Sequence, residues 1–168
     1  MIKAILKTII ILCVFLLGVF STNIYAELNP QQQPLAPAID SDDNTITIKT
    51  PGDKITEDQI KVYKTRVVLD IQNAEWASFT PTGSMEPVLN EYSNAIELVP
   101  QSEEDIEVGD ICSYKSKYAS GSIIHRVVYK GQDENGTYYV FKGDNNPTSD
   151  PGRIRFDQIQ RCVVAIIY

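Results

Sequence analysis

Short apolar runs, several with an alternating pattern, follow one another from Tyr63 to the end of the chain. They are rich in β-branched and aromatic residues, which favour extended structure. Turn chemistry separates them, including an Asn135-Gly136 pair of the kind favoured in tight hairpins. No helical period competes in this region, so the sequence predicts an all-β domain. The predicted strands cover residues 66–71, 95–99, 111–114, 122–129, 138–141 and 161–168.

The pattern changes upstream of these strands. Residues 45–49 alternate like a half-buried strand, a Pro-Gly-Asp turn follows at 51–53, and residues 56–59 are predicted to cap one short helix. Residues 29–38 are rich in Pro and Gln and bury too little apolar surface to order themselves. We therefore predict a spacer over residues 27–44 and a β-rich domain over residues 45–168.

The first 26 residues predict a targeting or membrane segment. Lys3 and Lys7 precede an uncharged apolar run over residues 8–20. A cleaved signal peptide ending at Ala26 and a retained apolar helix both fit, and we expect the retained anchor because Ile24 and Tyr25 are bulky for a cleavage site. The lysines lie before the apolar run, which predicts an extracytoplasmic domain on a single-pass membrane protein, or a secreted one if residues 1–26 are removed.

Charge and cysteine content narrow the function classes. The 168-residue chain has a net charge of -7 and a pI of about 4.7, with no cluster of Lys or Arg, which argues against nucleic acid as a partner. Cys112 and Cys162 lie in apolar runs, so they form either one disulfide or two buried thiols, and we expect thiols. Neither has the spacing of a zinc site, and no cofactor is predicted.

Three segments carry candidate chemistry. They are Thr82-Gly83-Ser84-Met85-Glu86-Pro87, then Ile124-His125-Arg126-Val127, then Lys142-Gly143-Asp144-Asn145-Asn146 with Asp150 just beyond. A serine hydroxyl is a poor nucleophile unless a base takes its proton and a third group orients that base. These segments contain a serine, the chain's one histidine and two aspartates, in that order.

Together these motifs resemble the signal peptidase I family, in the archaeal and endoplasmic-reticulum branch that has histidine followed by Arg-Val. The resemblance covers roughly residues 76–167. It implies that Ser84 is the nucleophile, His125 the base and Asp150 the orienting carboxylate, with Asp144 either supporting the site or replacing Asp150. It also implies a coiled β-sheet or partly open β-barrel with an N-terminal apolar helix.

The same resemblance assigns the remaining site residues. The Ser84 backbone N–H and the Thr82 hydroxyl would form the oxyanion hole. An extended substrate with small residues before the cut would bind by strand addition. Trp76 and Phe79 have another possible use, as core side chains or, if exposed, as contacts with membrane lipid. The expected substrate contacts are Trp76, Ala77, Ser78, Phe79 and Met85.

We therefore expect a membrane-associated serine endopeptidase whose partners are the signal peptides of exported preproteins and membrane lipid. Accessory subunits are not predictable from the sequence. One alternative is a Ser-Lys protease of the same superfamily with Lys115, Lys117 or Lys130 as the base. The other is a secreted, non-catalytic β-domain that binds partners. Cleavage of a signal-peptide substrate, with Ser84→Ala as control, distinguishes the enzyme from the binding domain.

Overall fold

A computed structural model describes residues 49–168. The predicted anchor, the spacer and most of the first predicted strand lie outside the described residues. Within the described part, residues 56–71 belong to one compact unit, and residues 49–55 with 72–168 belong to another. No helix between residues 49 and 168 is long and apolar enough to cross a membrane.

Residues 56–71, the described part of the smaller unit, contain one antiparallel hairpin. Strand β1 (Ile60–Val62) pairs with β2 (Val67–Leu69), and the Tyr63 N–H donates to the Arg66 carbonyl across the turn. The residues before β1 form a single 3₁₀ turn, Glu57–Gln59, whose N-cap is Thr56. The predicted short helix is therefore present as a 3₁₀ turn, and β1 is a strand that the sequence pattern did not predict.

The larger unit contains a six-stranded antiparallel sheet with the order β3-β4-β8-β5-β6-β7. The last strand of the chain is inserted between β4 and β5, so strands distant in sequence meet at the centre. β3 and β7 are the two edges, and the sheet does not close into a barrel among the described strands. The strands are β3 (Glu75–Ser78), β4 (Asn94–Leu98), β5 (Ile111–Lys115), β6 (Ser122–Asp133), β7 (Gly136–Lys142) and β8 (Ile159–Ile167).

The sheet buries a separate apolar cluster on each face, because neighbouring residues of a strand point to opposite sides. On β5, Ile111 belongs to one cluster, together with Met85 and Leu89. The next residue, Cys112, belongs to the other cluster, together with Tyr114 and Phe141. Both faces of the sheet are therefore covered near its centre, and the all-β prediction is confirmed.

A disulfide joins Cys112 of β5 to Cys162 of β8, two residues directly opposite each other in adjacent central strands. It closes a loop with a sequence separation of 50 residues. The expectation of two buried thiols is wrong, because the register of β5 and β8 brings the two sulfurs together.

The β6–β7 hairpin reverses over Glu134 and Asn135, with Asp133 paired to Gly136. Gly136 has a φ of 96°, which glycine adopts at little cost. The predicted Asn-Gly hairpin is therefore confirmed. β7 pairs with β6 only from Arg126 onward. The first four residues of β6, Ser122 to His125, are paired with β5 on one side and have no strand partner among the described residues on the other.

Candidate active site

The loop that carries Ser84 is held by hydrogen bonds from a distant loop. Gly83 has a φ of 70°, so the chain reverses immediately before the serine. The Asn145 backbone N–H donates to the Ser84 carbonyl at 2.9 Å, and the Asn145 side-chain amide donates to the Gly83 carbonyl at 3.0 Å. A Cβ at Gly143 would lie 2.6 Å from the Ser84 carbonyl oxygen, so this approach requires glycine there.

His125 lies in β6 and meets Ser84 through one ring nitrogen. Its Nε2 is 3.0 Å from the Ser84 Oγ, within hydrogen-bond distance. The imidazole is buried, with 7% of the residue exposed, and its position opposite Cys112 fixes it on the central part of the sheet. An Nε2 that carries no proton in this geometry accepts the hydroxyl proton of Ser84.

Asp150 contacts the other ring nitrogen. Its Oδ2 lies 2.5 Å from His125 Nδ1, and the same oxygen accepts a hydrogen bond of 2.7 Å from the Tyr114 hydroxyl. The Asp150 backbone N–H donates to the Phe141 carbonyl at 2.8 Å, which fixes the loop after β7 against the sheet. A carboxylate in this place keeps the proton on Nδ1 and stabilises the ring when it is protonated.

Tyr114 is a buried phenol that completes this arrangement. Burial is the largest cause that raises the pKa of Tyr114, and its hydrogen bond to Asp150 raises it further. The hydroxyl therefore stays protonated and acts as a donor to the carboxylate. Its ring stacks on Phe141 with 4.4 Å between the centroids, which fixes the direction of the hydroxyl.

Asp144 contacts Arg126 instead of the imidazole. Its two oxygens accept hydrogen bonds of 2.8 Å from Arg126 Nε and 2.7 Å from Arg126 Nη2. The Nη1 of the same guanidinium donates to the Gly109 carbonyl at 2.7 Å. Of the two aspartates that the sequence left open as the orienting group, the structure brings Asp150 to His125 and uses Asp144 to connect the loop after β7 to β6.

Thr82 lies on the other side of the serine. Its Oγ1 is 3.2 Å from the Ser84 Oγ and 3.5 Å from the Ser84 backbone nitrogen, which donates towards it. The Ser84 N–H is therefore directed at the Thr82 hydroxyl, and the two groups lie next to each other beside the Ser84 hydroxyl. These are the two groups to which the family resemblance assigns an oxyanion hole.

A cleft of about 580 Å³ opens beside Ser84. Four of the five predicted substrate contacts, Ala77, Ser78, Phe79 and Met85, line one part of it. Ser122, Ile123, Ile124 and His125, at the start of β6, line it as well. Within residues 49–168, β3 is an edge strand and the start of β6 has no strand partner on one side, so both have unpaired backbone groups at the cleft.

Trp76 is the predicted contact that does not line the cleft. It alternates with Ala77 and therefore points to the opposite face of β3. The residue is 66% exposed, and its indole N–H donates to the Asn94 side chain at 3.0 Å. Of the two further uses considered for Trp76 and Phe79, the core is excluded for Trp76 by its exposure, whereas Phe79 packs against the cluster around Met85.

The lysines proposed as alternative bases have other contacts. Lys130 donates to the carbonyls of Glu103 and Ile106, and the Lys117 ammonium lies 5.0 Å from the centre of the Tyr118 ring. Lys115 is exposed at the end of β5, paired with Ser122. The ionisable side chain that contacts the Ser84 hydroxyl is His125. Between residues 49 and 168, no group of three His, Cys, Asp or Glu side chains is placed to hold a metal ion.

The sequence did not identify three residues of the site. The sequence did not indicate a role for Tyr114, because tyrosine is common in buried strands. Asn145 lay inside a recognised motif, but its clamp on the serine loop depends on a contact over 62 residues. Glu97 is an acidic residue in an apolar run, which is an unusual position for a buried strand.

Comparison with known proteins adds little to this geometry. No model of a protein family matches the chain, and no solved structure is significantly similar to it. A 44-residue segment is 43% identical to an uncharacterized protein of Methanocaldococcus jannaschii. The segment is 26% of this chain and 22% of that protein, so the chain covers less than a quarter of the length of this relative.

Proposed function

We propose that this chain is a membrane-associated serine endopeptidase of the signal peptidase I type, which cleaves signal peptides from exported proteins after small residues. One observation carries the proposal: the Ser84 Oγ lies 3.0 Å from His125 Nε2, while Asp150 lies 2.5 Å from His125 Nδ1. The chain's motifs also resemble the histidine-containing branch of that family. The signal-peptide substrate and the finer fold, a coiled sheet with an N-terminal apolar helix, are proposed from this resemblance.

The reaction begins with attack of the Ser84 oxygen on the carbonyl carbon of the scissile bond. His125 Nε2 takes the hydroxyl proton, and Asp150 stabilises the resulting imidazolium. The Ser84 N–H and the Thr82 hydroxyl donate to the oxyanion of the tetrahedral intermediate. His125 then passes its proton to the leaving amine. Water, deprotonated by the same ring, hydrolyses the acyl-enzyme and releases the second product.

The free backbone edges at the cleft support an extended substrate. A peptide that enters between β3 and the start of β6 would meet N–H and C=O groups that no strand pairs with in the described part of the chain. Strand addition of this kind supplies main-chain hydrogen bonds independent of side-chain identity. This suits a peptidase whose substrates share only short features near the cut.

The test is cleavage of a peptide that contains an Ala-x-Ala site by the full chain in detergent micelles. The wild-type chain should cut after the second alanine, and Ser84→Ala and His125→Ala should each lower kcat by at least about 10³-fold. Glu134→Gln, in the exposed β6–β7 turn, is the matched control and should cut at the wild-type rate. A His125→Ala chain that keeps the wild-type rate would exclude the histidine as the base, and a rate that rises only at high pH would favour the Ser-Lys alternative. Binding of the peptide without cleavage would favour the binding domain.

A further inference from the structure

The cleft has a charged region on the central strands of the sheet, separate from the serine, histidine and aspartate. Glu97 of β4 and Arg161 of β8 both line it. Glu75 of β3 lies directly opposite Glu97 and pairs with the Arg161 guanidinium at 2.7 Å. Ser113 and Gln160 complete this polar part of the lining. The mechanism proposed above uses none of these groups.

Glu97 is a largely buried residue in the lining of the cleft. The residue is 6% exposed, and among residues 49–168 no group donates a hydrogen bond to its carboxylate or forms an ion pair with it. Burial is the largest cause that raises the pKa of Glu97, Glu75 raises it further, and Arg161 opposes the rise without touching it. A carboxylate that loses part of its hydration without gaining a hydrogen-bond donor costs stability.

The charges around Glu97 favour a cation. Glu75 and Glu97 carry two negative charges against the single positive charge of Arg161, and Arg161 is already paired with Glu75. Among residues 49–168, the buried Arg161 Nε has no hydrogen-bond partner, so it does not donate to Glu97. What the Glu97 carboxylate lacks is a positively charged donor that enters from the open side of the cleft.

We propose that Glu97 is a specificity-determining residue that binds a lysine or arginine side chain of the substrate, carried by the peptide segment that occupies this cleft. The inference rests on the proposed endopeptidase function and adds a substrate preference to it. A basic side chain that reaches Glu97 forms a charge-assisted hydrogen bond with the carboxylate, and such a bond is stronger than one between neutral groups. A neutral side chain of equal length leaves the carboxylate unpaired.

The experiment uses the full chain in detergent micelles and a family of peptides with one Ala-x-Ala site. Lysine is placed in turn at each position from five residues before the cut to three after it, and each lysine peptide is compared with its norleucine counterpart. At one position, or two adjacent ones, lysine should raise kcat/KM about tenfold or more. Glu97→Gln should reduce that preference to less than about threefold. Glu134→Gln, far from the cleft, should keep the full lysine preference.

Two results would overturn the proposal: no position at which lysine is preferred, or a preference that survives in Glu97→Gln. Thermal unfolding of Glu97→Gln checks that the variant folds. Because glutamine is neutral and has the size of glutamate, this variant should unfold at no lower a temperature than wild type. If the wild-type chain cuts none of the peptides, the endopeptidase function fails, and binding to the Ser84→Ala chain then decides the subsite. The lysine peptide should bind that chain about tenfold more tightly than the norleucine peptide, and equal Kd values would refute the role of Glu97.

Discussion

Replacement of Asp150 by asparagine should lower kcat by about 10³- to 10⁴-fold, with little change in stability. The Asp150 carboxylate is the group on His125 Nδ1, and it is only 13% exposed, so water does not substitute for it. A neutral amide cannot stabilise the imidazolium that forms when Ser84 loses its proton. A 10⁴-fold loss corresponds to about 5.4 kcal/mol of transition-state stabilisation.

The folding cost of this substitution should be small. Asparagine has the size of aspartate, and its carbonyl oxygen still accepts the hydrogen bond from Tyr114. The exchange turns a charge-assisted hydrogen bond into a neutral one, which is a difference of about 1 kcal/mol. The substitution should therefore lower kcat strongly while it changes the free energy of unfolding only a little.

Asp144→Asn is the matched control, since it makes the same chemical change in a neighbouring loop. Asp144 and Arg126 form a bidentate ion pair in which the side chains are 12% and 9% exposed. A guanidinium left buried without its counter-charge costs about 3 kcal/mol of folding free energy. We expect this variant to lose stability of that order and, at a temperature where it is folded, to keep kcat within about tenfold of wild type.

The assay measures kcat on an Ala-x-Ala peptide under single-turnover conditions and the free energy of unfolding by urea denaturation, for both variants in parallel. The reasoning is refuted by the reverse pattern, in which Asp144→Asn loses activity at full stability and Asp150→Asn keeps it. In that case Asp144 would be the orienting group in the working enzyme, and the contact between Asp150 and the imidazole would be structural.

Three further predictions concern packing, cross-linking and charge. Gly143→Ala should lose about 1–3 kcal/mol of stability and most activity, because the added Cβ meets the Ser84 carbonyl at 2.6 Å. Gly136→Ala is the control: its φ of 96° strains an alanine, but the added Cβ meets no atom within 4 Å, so this variant should lose stability and keep activity. Reduction of the β5–β8 disulfide should cost up to about 4 kcal/mol for a separation of 50 residues, measured by urea unfolding with and without reductant; an unchanged midpoint would contradict this. Because burial raises the pKa of Glu97 above its ordinary 4.5, the folded state binds this proton more tightly and wild-type stability falls as pH rises through that range. Glu97→Gln should therefore match wild type at about pH 4 and exceed it at about pH 7, and equal stabilities at both pH values would contradict the shift.

The predictable part of the fold came from local patterns. Alternation and turn residues locate strands β2 and β4 to β8, because side-chain burial on a sheet has a period of two and the turns contain glycine or asparagine at defined places. The three residues of β1 gave no pattern, since a strand that short shows no period. The pairing of Cys112 with Cys162 was also missed, because it depends on the register between β5 and β8, which neither segment encodes alone.

Some residues of the candidate site could be identified from the sequence, and others could not. Ser84, His125 and Asp150 were identified because their motifs resemble a known family, and the structure brings the three side chains into contact. The roles of Tyr114 and Glu97 depend on which strands become neighbours. A tyrosine in β5 becomes a donor to Asp150 only after the loop beyond β7 folds back over it, and no local rule gives that contact.

The position of β8 in the sheet has a consequence for how the candidate site is assembled. Ile159–Ile167 lies between β4 and β5 and contributes Gln160 and Arg161 to the cleft. Ser84 precedes β4 and His125 lies in β6, so the two side chains belong to parts of the sheet that β8 joins. A shortened polypeptide that ends before Ile159 should therefore lose the contact between Ser84 and His125.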